Sequence, residues 1–222
     1  MSSRAFVMNS IAVGDFRMDC HIEKEQLEYE ISKSISASNW KEILKLGQKL
    51  SIEDRVKFLW VWPLEQDLEN IRQLAKQLGL KRILSIGCGT GLLEWLITSA
   101  TDISVSGIEK DEHWWLSKYS TKTFIPMIFA DSHCYKKSSN ELQWDTLMFC
   151  YFNDGSAFRD YLGDFSGQYV IIIGPLEGQA VHTDPLPFRP CFPAEQIWKL
   201  VLSFPMGSEN LNYFVIYERI FE

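Results

Sequence analysis

At 222 residues, with 46% apolar and 14% aromatic side chains, the chain can bury the core of one α/β domain, with or without a small helical addition. That excludes a disordered polymer and leaves little room for two independent domains. Its 29 acidic residues against 22 basic ones give a net charge of −7. No segment concentrates Lys and Arg, so tight binding to a nucleic-acid backbone is disfavoured.

The first twenty residues show no sustained period, and Gly14-Asp15 reads as a turn within an arm or a strand. Asp15 and Asp19 precede any long apolar run. Neither a signal peptide nor a membrane span is expected, and the cytoplasm is the expected compartment, with the nucleus left open. A helix is predicted over 21–36. Asn39 with Glu42, and Ser51 with Asp54, then supply capping pairs for helices over 40–50 and from 52 to just before Pro63. Pro63 is expected as the first residue of a further helix, striped by Leu64, Leu68, Ile71, Leu74, Ala75 and Leu78 and closed by Gly79.

The run Ile83-Leu84-Ser85-Ile86 then stops at Gly87-Cys88-Gly89-Thr90-Gly91 and resumes as a helical pattern over 92–99. This reads as strand, tight turn and helix. Glycine removes the Cβ that would block a close ligand, and the amides opening the helix can receive a polar group. Further strands are predicted at 103–108, ending on Glu109, at 123–129, followed by Asp131 and Ser132, and at 144–149. Asp154 or Ser156 starts a helix through Tyr161, and an apolar fifth strand follows at 168–173. The proline-rich stretch 176–192 is loop-like. A last helix is predicted over 193–198, and strands at 201–205 and 211–221 form a terminal hairpin. The five cysteines form no C-x-x-C pair and are odd in number. No zinc site, no other metal and no disulfide framework is expected, and a reducing, intracellular setting is.

The G-x-G-x-G spacing of Gly87, Gly89 and Gly91 resembles motif I of class I S-adenosylmethionine-dependent methyltransferases. A dinucleotide fingerprint would require glycine at the position of Leu92. The acid often found two residues before the first glycine in that family is Ser85 here. The resemblance implies a doubly wound, mostly parallel seven-stranded sheet with a C-terminal antiparallel hairpin, covering residues 63–222. Residues 1–62 would be a helical extension or lid.

The resemblance further implies that Gly87, Cys88, Gly89 and Gly91 form the cofactor turn, that Glu109 accepts from the ribose hydroxyls, and that Asp131 and Ser132 meet the adenine. From the residues alone, Glu109 also suits the start of a helix and Asp131 suits a cap. Phe58, Trp60 and Trp62 are expected mainly to pack against the sheet rather than to touch substrate. Tyr151, Asn153 and His182 are the candidates to face a methyl acceptor, with His182 as a base set against a merely solvated loop histidine.

The expected function is methyl transfer from S-adenosylmethionine to an acceptor the sequence does not identify, a small molecule or a protein ahead of nucleic acid. The alternatives are a catalytically silent cofactor-binding sensor or partner subunit, and a nicotinamide enzyme.

Overall fold

The computed structural model describes residues 13–130, 144–179, 181–209 and 211–221, with side chains from residue 24 onward. Helix α1 spans Val13–Ser36, so the helix predicted from residue 21 begins earlier and takes in Gly14 and Asp15. Helices α2 (Trp40–Lys49) and α3 (Ile52–Val56) start where their caps predict. Asn39 Oδ1 accepts from the Glu42 amide at 3.3 Å, and Ser51 Oγ accepts from the Asp54 amide at 3.1 Å.

Helix α3 is shorter than its sequence pattern. The Phe58 carbonyl, which could have continued the helix, instead accepts from Thr90 Oγ1 at 2.7 Å. Residues 57–62 thereby run across the glycine turn, burying Phe58, Leu59, Val61 and Trp62. Helix α4 is Glu65–Leu78, so Pro63 lies just outside it. Its entry is fixed by the buried Asp67, whose Oδ2 accepts from the amide of Leu64 at 2.8 Å and from that of Gly207 at 2.9 Å.

From there strands and helices alternate: β1 (Arg82–Ile86), α5 (Leu92–Ala100), β2 (Ser104–Glu109), α6 (Glu112–Trp115), β3 (Met127–Phe129), β4 (Thr146–Cys150), α7 (Gly155–Asp164), β5 (Tyr169–Pro175), β6 (Ile197–Met206) and β7 (Asn212–Ile220). The sheet has seven strands in the order β3-β2-β1-β4-β5-β7-β6. The first five strands pair in parallel, and β7 joins β5 and β6 antiparallel. The predicted architecture is therefore the observed one. Because β1 lies between β2 and β4, the chain changes winding direction at β1, and the crevice opens beyond the carboxyl ends of these strands.

Alternation along the buried strands divides the core. Ile171 and Ile173 of β5 face a layer with α1, α2, α4 and α5, while Val170 and Ile172 face α7. Ile31, Ile43 and Leu44 of the N-terminal helices share the first layer with Ile83 and Leu92, so these helices have no core of their own. At the start of the sheet, Asp145 Oδ2 accepts from the amides of Lys81 and Arg82 at 2.8 and 2.9 Å, locking β4 to β1.

Two further predicted elements differ. The helix expected over 193–198 is not formed: a turn leads into β6, and Ile197 and Trp198 pair with Ile220 and Arg219 of β7. The run from Ile197 to Leu202 is β-branched, aromatic and leucine-rich, and ladder bonds with β7 outweigh the helix-starting signal of Pro193. Phe192 stacks on Trp198 at 5.3 Å and fixes this entry. The third strand contracts to Met127–Phe129 because the residues before it serve the glycine turn. Phe124 donates its amide to the Thr90 carbonyl at 2.8 Å, and Ile125 fills the space beside Gly91. None of the helices among the described residues is long and apolar enough to cross a membrane.

Asp67 joins α4 to the β6–β7 turn through buried bonds that a truncated side chain cannot replace. Asp67→Ala is expected to lower stability by about 2–4 kcal/mol, read as a reduced urea midpoint at constant slope.

Candidate functional site

Two cavities open at the carboxyl end of the sheet and share Gly87 and Glu109 in their walls. The larger, about 250 Å³, lies under residues 57–62 and is lined by Phe58, Trp60, Cys88, Glu94 and Tyr151 among others. The smaller, about 210 Å³, lies toward α7 and is lined by Ile108, Phe152, Asp154, Ala157 and Tyr161.

The glycine turn makes both accessible. Gly89 sits at φ +62°, and a Cβ built there would meet no atom within 4 Å, so the space beside it is open. Gly91 plays a different part. It caps α5 at φ +75°, and a Cβ there would stand 2.3 Å from Ile125 Cγ1, so it serves packing rather than the cavity wall.

Glu109 ends β2 at the boundary between the cavities. Its Oε1 accepts from the Gly89 amide at 2.6 Å, and the Trp115 side chain also hydrogen-bonds to it. Burial raises its pKa above the ordinary carboxylate value, with the Gly89 and Trp115 bonds opposing that shift. The helix-start role open to Glu109 falls instead to Asp111, whose Oδ1 accepts from the Trp114 amide at 2.8 Å.

A second acid, Glu94, was not singled out by the sequence. It lies at the third position of α5, is 1% exposed, and reaches back beneath β1, where Oε1 accepts from Ser85 Oγ at 2.6 Å. Oε2 meets no donor among the described residues. Burial lifts its pKa to about 7, with the Ser85 bond opposing the rise and the nearby Glu109 adding to it. The available signal was a glutamate three residues past a glycine cap in the otherwise apolar run Leu92 to Ile97, facing a strand that carries Ser85.

The thiols of Cys88 and Cys150 are pushed up by burial and by the neighbouring carboxylates, so both stay protonated and are not nucleophiles. Lys57 also lines the larger cavity, and its ammonium is paired with Asp54 at 2.8 Å. No group of His, Cys, Asp and Glu among the described residues could hold a metal ion.

Of the acceptor-facing candidates, Tyr151 lines the larger cavity. It adopts φ +52°, unusual for a side chain of its size, donates its hydroxyl to Asn212 Oδ1 at 2.6 Å, and stacks on Trp60 at 5.2 Å. Asn153 and His182 are exposed and line neither cavity. Asp131 and Ser132 lie outside the described residues. Phe58 and Trp62 are buried in the core as expected, whereas Trp60 is 53% exposed over the cavity.

No protein-family model and no curated protein sequence matches the chain. Solved structures do resemble it. MtNAS in complex with MTA and tNA aligns at a TM-score of 0.53 and 13% identity, over 92% of this chain and 74% of that one. Magnesium protoporphyrin IX methyltransferase from Synechocystis PCC 6803 with bound SAH aligns at 0.46 and 9%, over 78% and 89%. A SAM dependent methyltransferase from Archaeoglobus fulgidus aligns at 0.38 and 14%, over 68% and 94%. At such identities the likeness to MtNAS establishes a common fold.

The elevated pKa of Glu94 has a thermodynamic consequence. The folded protein keeps a proton on this carboxyl up to a pH of about 7, whereas an unperturbed glutamate releases it near 4.5. Stability is therefore greatest below the lower value and falls as pH rises through the upper one, by about 3 kcal/mol for a gap of this size. In Glu94→Gln the unliganded protein is expected to lose that part of the slope. Urea unfolding midpoints of both proteins between about pH 5 and pH 8 measure it, and parallel slopes would contradict it.

Proposed function

We propose that the chain is an S-adenosylmethionine-dependent methyltransferase acting on a small molecule or a protein. The supporting observation is an open backbone turn flanked by two carboxylates in one cavity wall, the buried Glu94 and the half-buried Glu109. A dinucleotide would bring a pyrophosphate against both acids and would compete with Glu109 for the Gly89 amide. A sulfonium nucleoside brings positive charge, which favours the ionised form that burial disfavours at both carboxylates.

In this reading Glu109 accepts from the sugar hydroxyls. The smaller cavity, with Ile108, Phe152 and Tyr161, takes the flat base, and Gly87 to Gly89 let the ligand lie against the backbone. Asp131 and Ser132 keep the adenine-contacting role that the motif resemblance implies. When bound, the cofactor supplies a methyl group activated by positive sulfur, which keeps the electrons of its bond to carbon as an acceptor lone pair takes the methyl. The chain then has to align the acceptor and exclude water, tasks that suit Phe58, Trp60 and Tyr151 over the cavity.

Tyr151 is a positioning group rather than a base. Its phenol is pushed up to about 12 by burial, and its proton is already given to Asn212. The favoured acceptor therefore attacks with a free lone pair or loses its proton to solvent past the exposed Trp60.

Isothermal titration with S-adenosylmethionine, S-adenosylhomocysteine and NAD tests the cofactor, and methyl-labelled cofactor with fractionated cell extract tests turnover. The adenosyl ligands should bind and NAD should not. Glu109→Ala should weaken the adenosyl ligands at least ~10-fold, given two charge-assisted bonds of about 1.5–3 kcal/mol each. NAD binding, or affinity unchanged in the variant, overturns the cofactor assignment. Binding without label in any fraction favours a silent sensor.

A further inference from the structure

No ligand group has been assigned to Glu94 above, yet it is the most deeply buried acid facing the larger cavity. Burying a carboxylate is costly unless both oxygens find donors or a cation, and among the described residues only Oε1 finds one, Ser85. Among the described residues the cavity supplies no protein cation to finish the task. Lys57 is paired with Asp54, and the other acid in the wall, Glu109, repels Glu94 rather than compensating it. Below about pH 7 the acid meets this cost by holding a proton, and the partner that its ionised form lacks is a ligand group that is positively charged and carries N–H donors.

The geometry indicates which group that is. A nucleoside held by its sugar at Glu109, with its base between Ile108, Phe152 and Tyr161, must send its 5′ substituent the other way, past Gly87 and Gly89 into the larger cavity. A sulfonium centre has no proton to donate, so it cannot satisfy Oε2. An α-ammonium has three N–H groups and can.

We propose that Glu94, oriented by Ser85, receives the ammonium of the cofactor's amino-acid end, and so makes the site selective for nucleosides that carry an amino acid at the 5′ position. This rests on the adenosyl reading above. The acid is delivered from α5 rather than from β1, and the hydroxyl on β1 orients it.

The test compares S-adenosylhomocysteine with 5′-methylthioadenosine, a thioether of the same nucleoside without the amino-acid end, by isothermal titration at about pH 7.5. Wild-type protein should bind the homocysteine compound at least ~10-fold more tightly. Glu94→Gln, which keeps the shape and the Ser85 contact, should lose ~10-fold or more for that ligand while changing the methylthio compound less than about twofold. Equal losses for both ligands, or no loss for either, overturn the proposal. Unchanged binding with abolished methyl transfer also overturns it, by making Glu94 a base. If neither compound binds the wild-type protein, the adenosyl reading itself fails.

A second measurement needs no variant. Glu94 is faced by Glu109 from β2, Cys88 from the turn, Cys150 and Tyr151 from the end of β4, and Lys57 after α3. Among these Glu94 is the group that burial holds at about 7. Glu109 serves both ligands alike, so the ratio of the two affinities isolates Glu94. That ratio should rise severalfold between about pH 6 and pH 7.5 as the acid ionises, and a flat ratio argues against the assignment.

Discussion

A hydrogen bond of 2.6 Å from the Gly89 amide to Glu109 Oε1 joins the end of β2 to the turn after β1, and the form of both cavities follows from it. The bond holds a carboxylate at the place where the two hollows meet. It also uses the backbone donor that would otherwise invite a phosphate. Such a bond requires the turn to present its amide outward, which the left-handed conformation of Gly89 permits and which an L side chain would strain. The remaining anchors serve the same turn. Thr90 ties it to the Phe58 carbonyl, and Phe124 ties it to the segment before β3.

Charge then gives the site its character. Glu94 and Glu109 stand in a wall whose lysine is already paired, and each is held above its ordinary pKa by burial. The protein's overall net charge of −7 has little bearing on this, since screened surface charges act weakly inside a cavity. What matters is two acids in one partly buried wall, one of them with an oxygen that meets no donor among the described residues. A cationic ligand lowers the free energy of that arrangement and an anionic one raises it.

The elements that place the site were legible because each rests on local chemistry. Glycines at 87, 89 and 91 forced a turn, alternating apolar runs forced parallel strands, and Glu109 followed from a strand's end. What stayed hidden depends on contacts distant in sequence. Glu94 and Ser85 lie in separate elements and become a pair only when α5 packs on β1. Trp60 and Trp62 look equivalent in the sequence, yet one lies against Gly47 in the core and the other against Tyr151 over the cavity. Residues 193–198 carry a helix-starting proline, but pairing with β7 decides their conformation. The dispersed candidates Asn153 and His182 were chosen by loop position alone, and loop position does not specify where a side chain points.

Tyr151 shows how the acceptor side is built. Its φ of +52° costs about 1–2 kcal/mol for a non-glycine residue, so the surroundings must hold it there. They do so from separate parts of the chain: its amide donates to the Ile173 carbonyl of β5 at 2.8 Å, its hydroxyl donates to Asn212 of β7, and its ring lies on Trp60. The β5 and β7 contacts belong to the sheet and are rigid. The third contact comes from residues 57–62, which bind the turn through a single threonine hydroxyl and leave Trp60 half in solvent. A strained aromatic fixed by the sheet is thus covered by a half-exposed indole, on a segment whose Phe58, Leu59, Val61 and Trp62 are buried. On the proposed reading, cofactor recognition is written into the sheet, and the choice of acceptor into the short segment before Pro63.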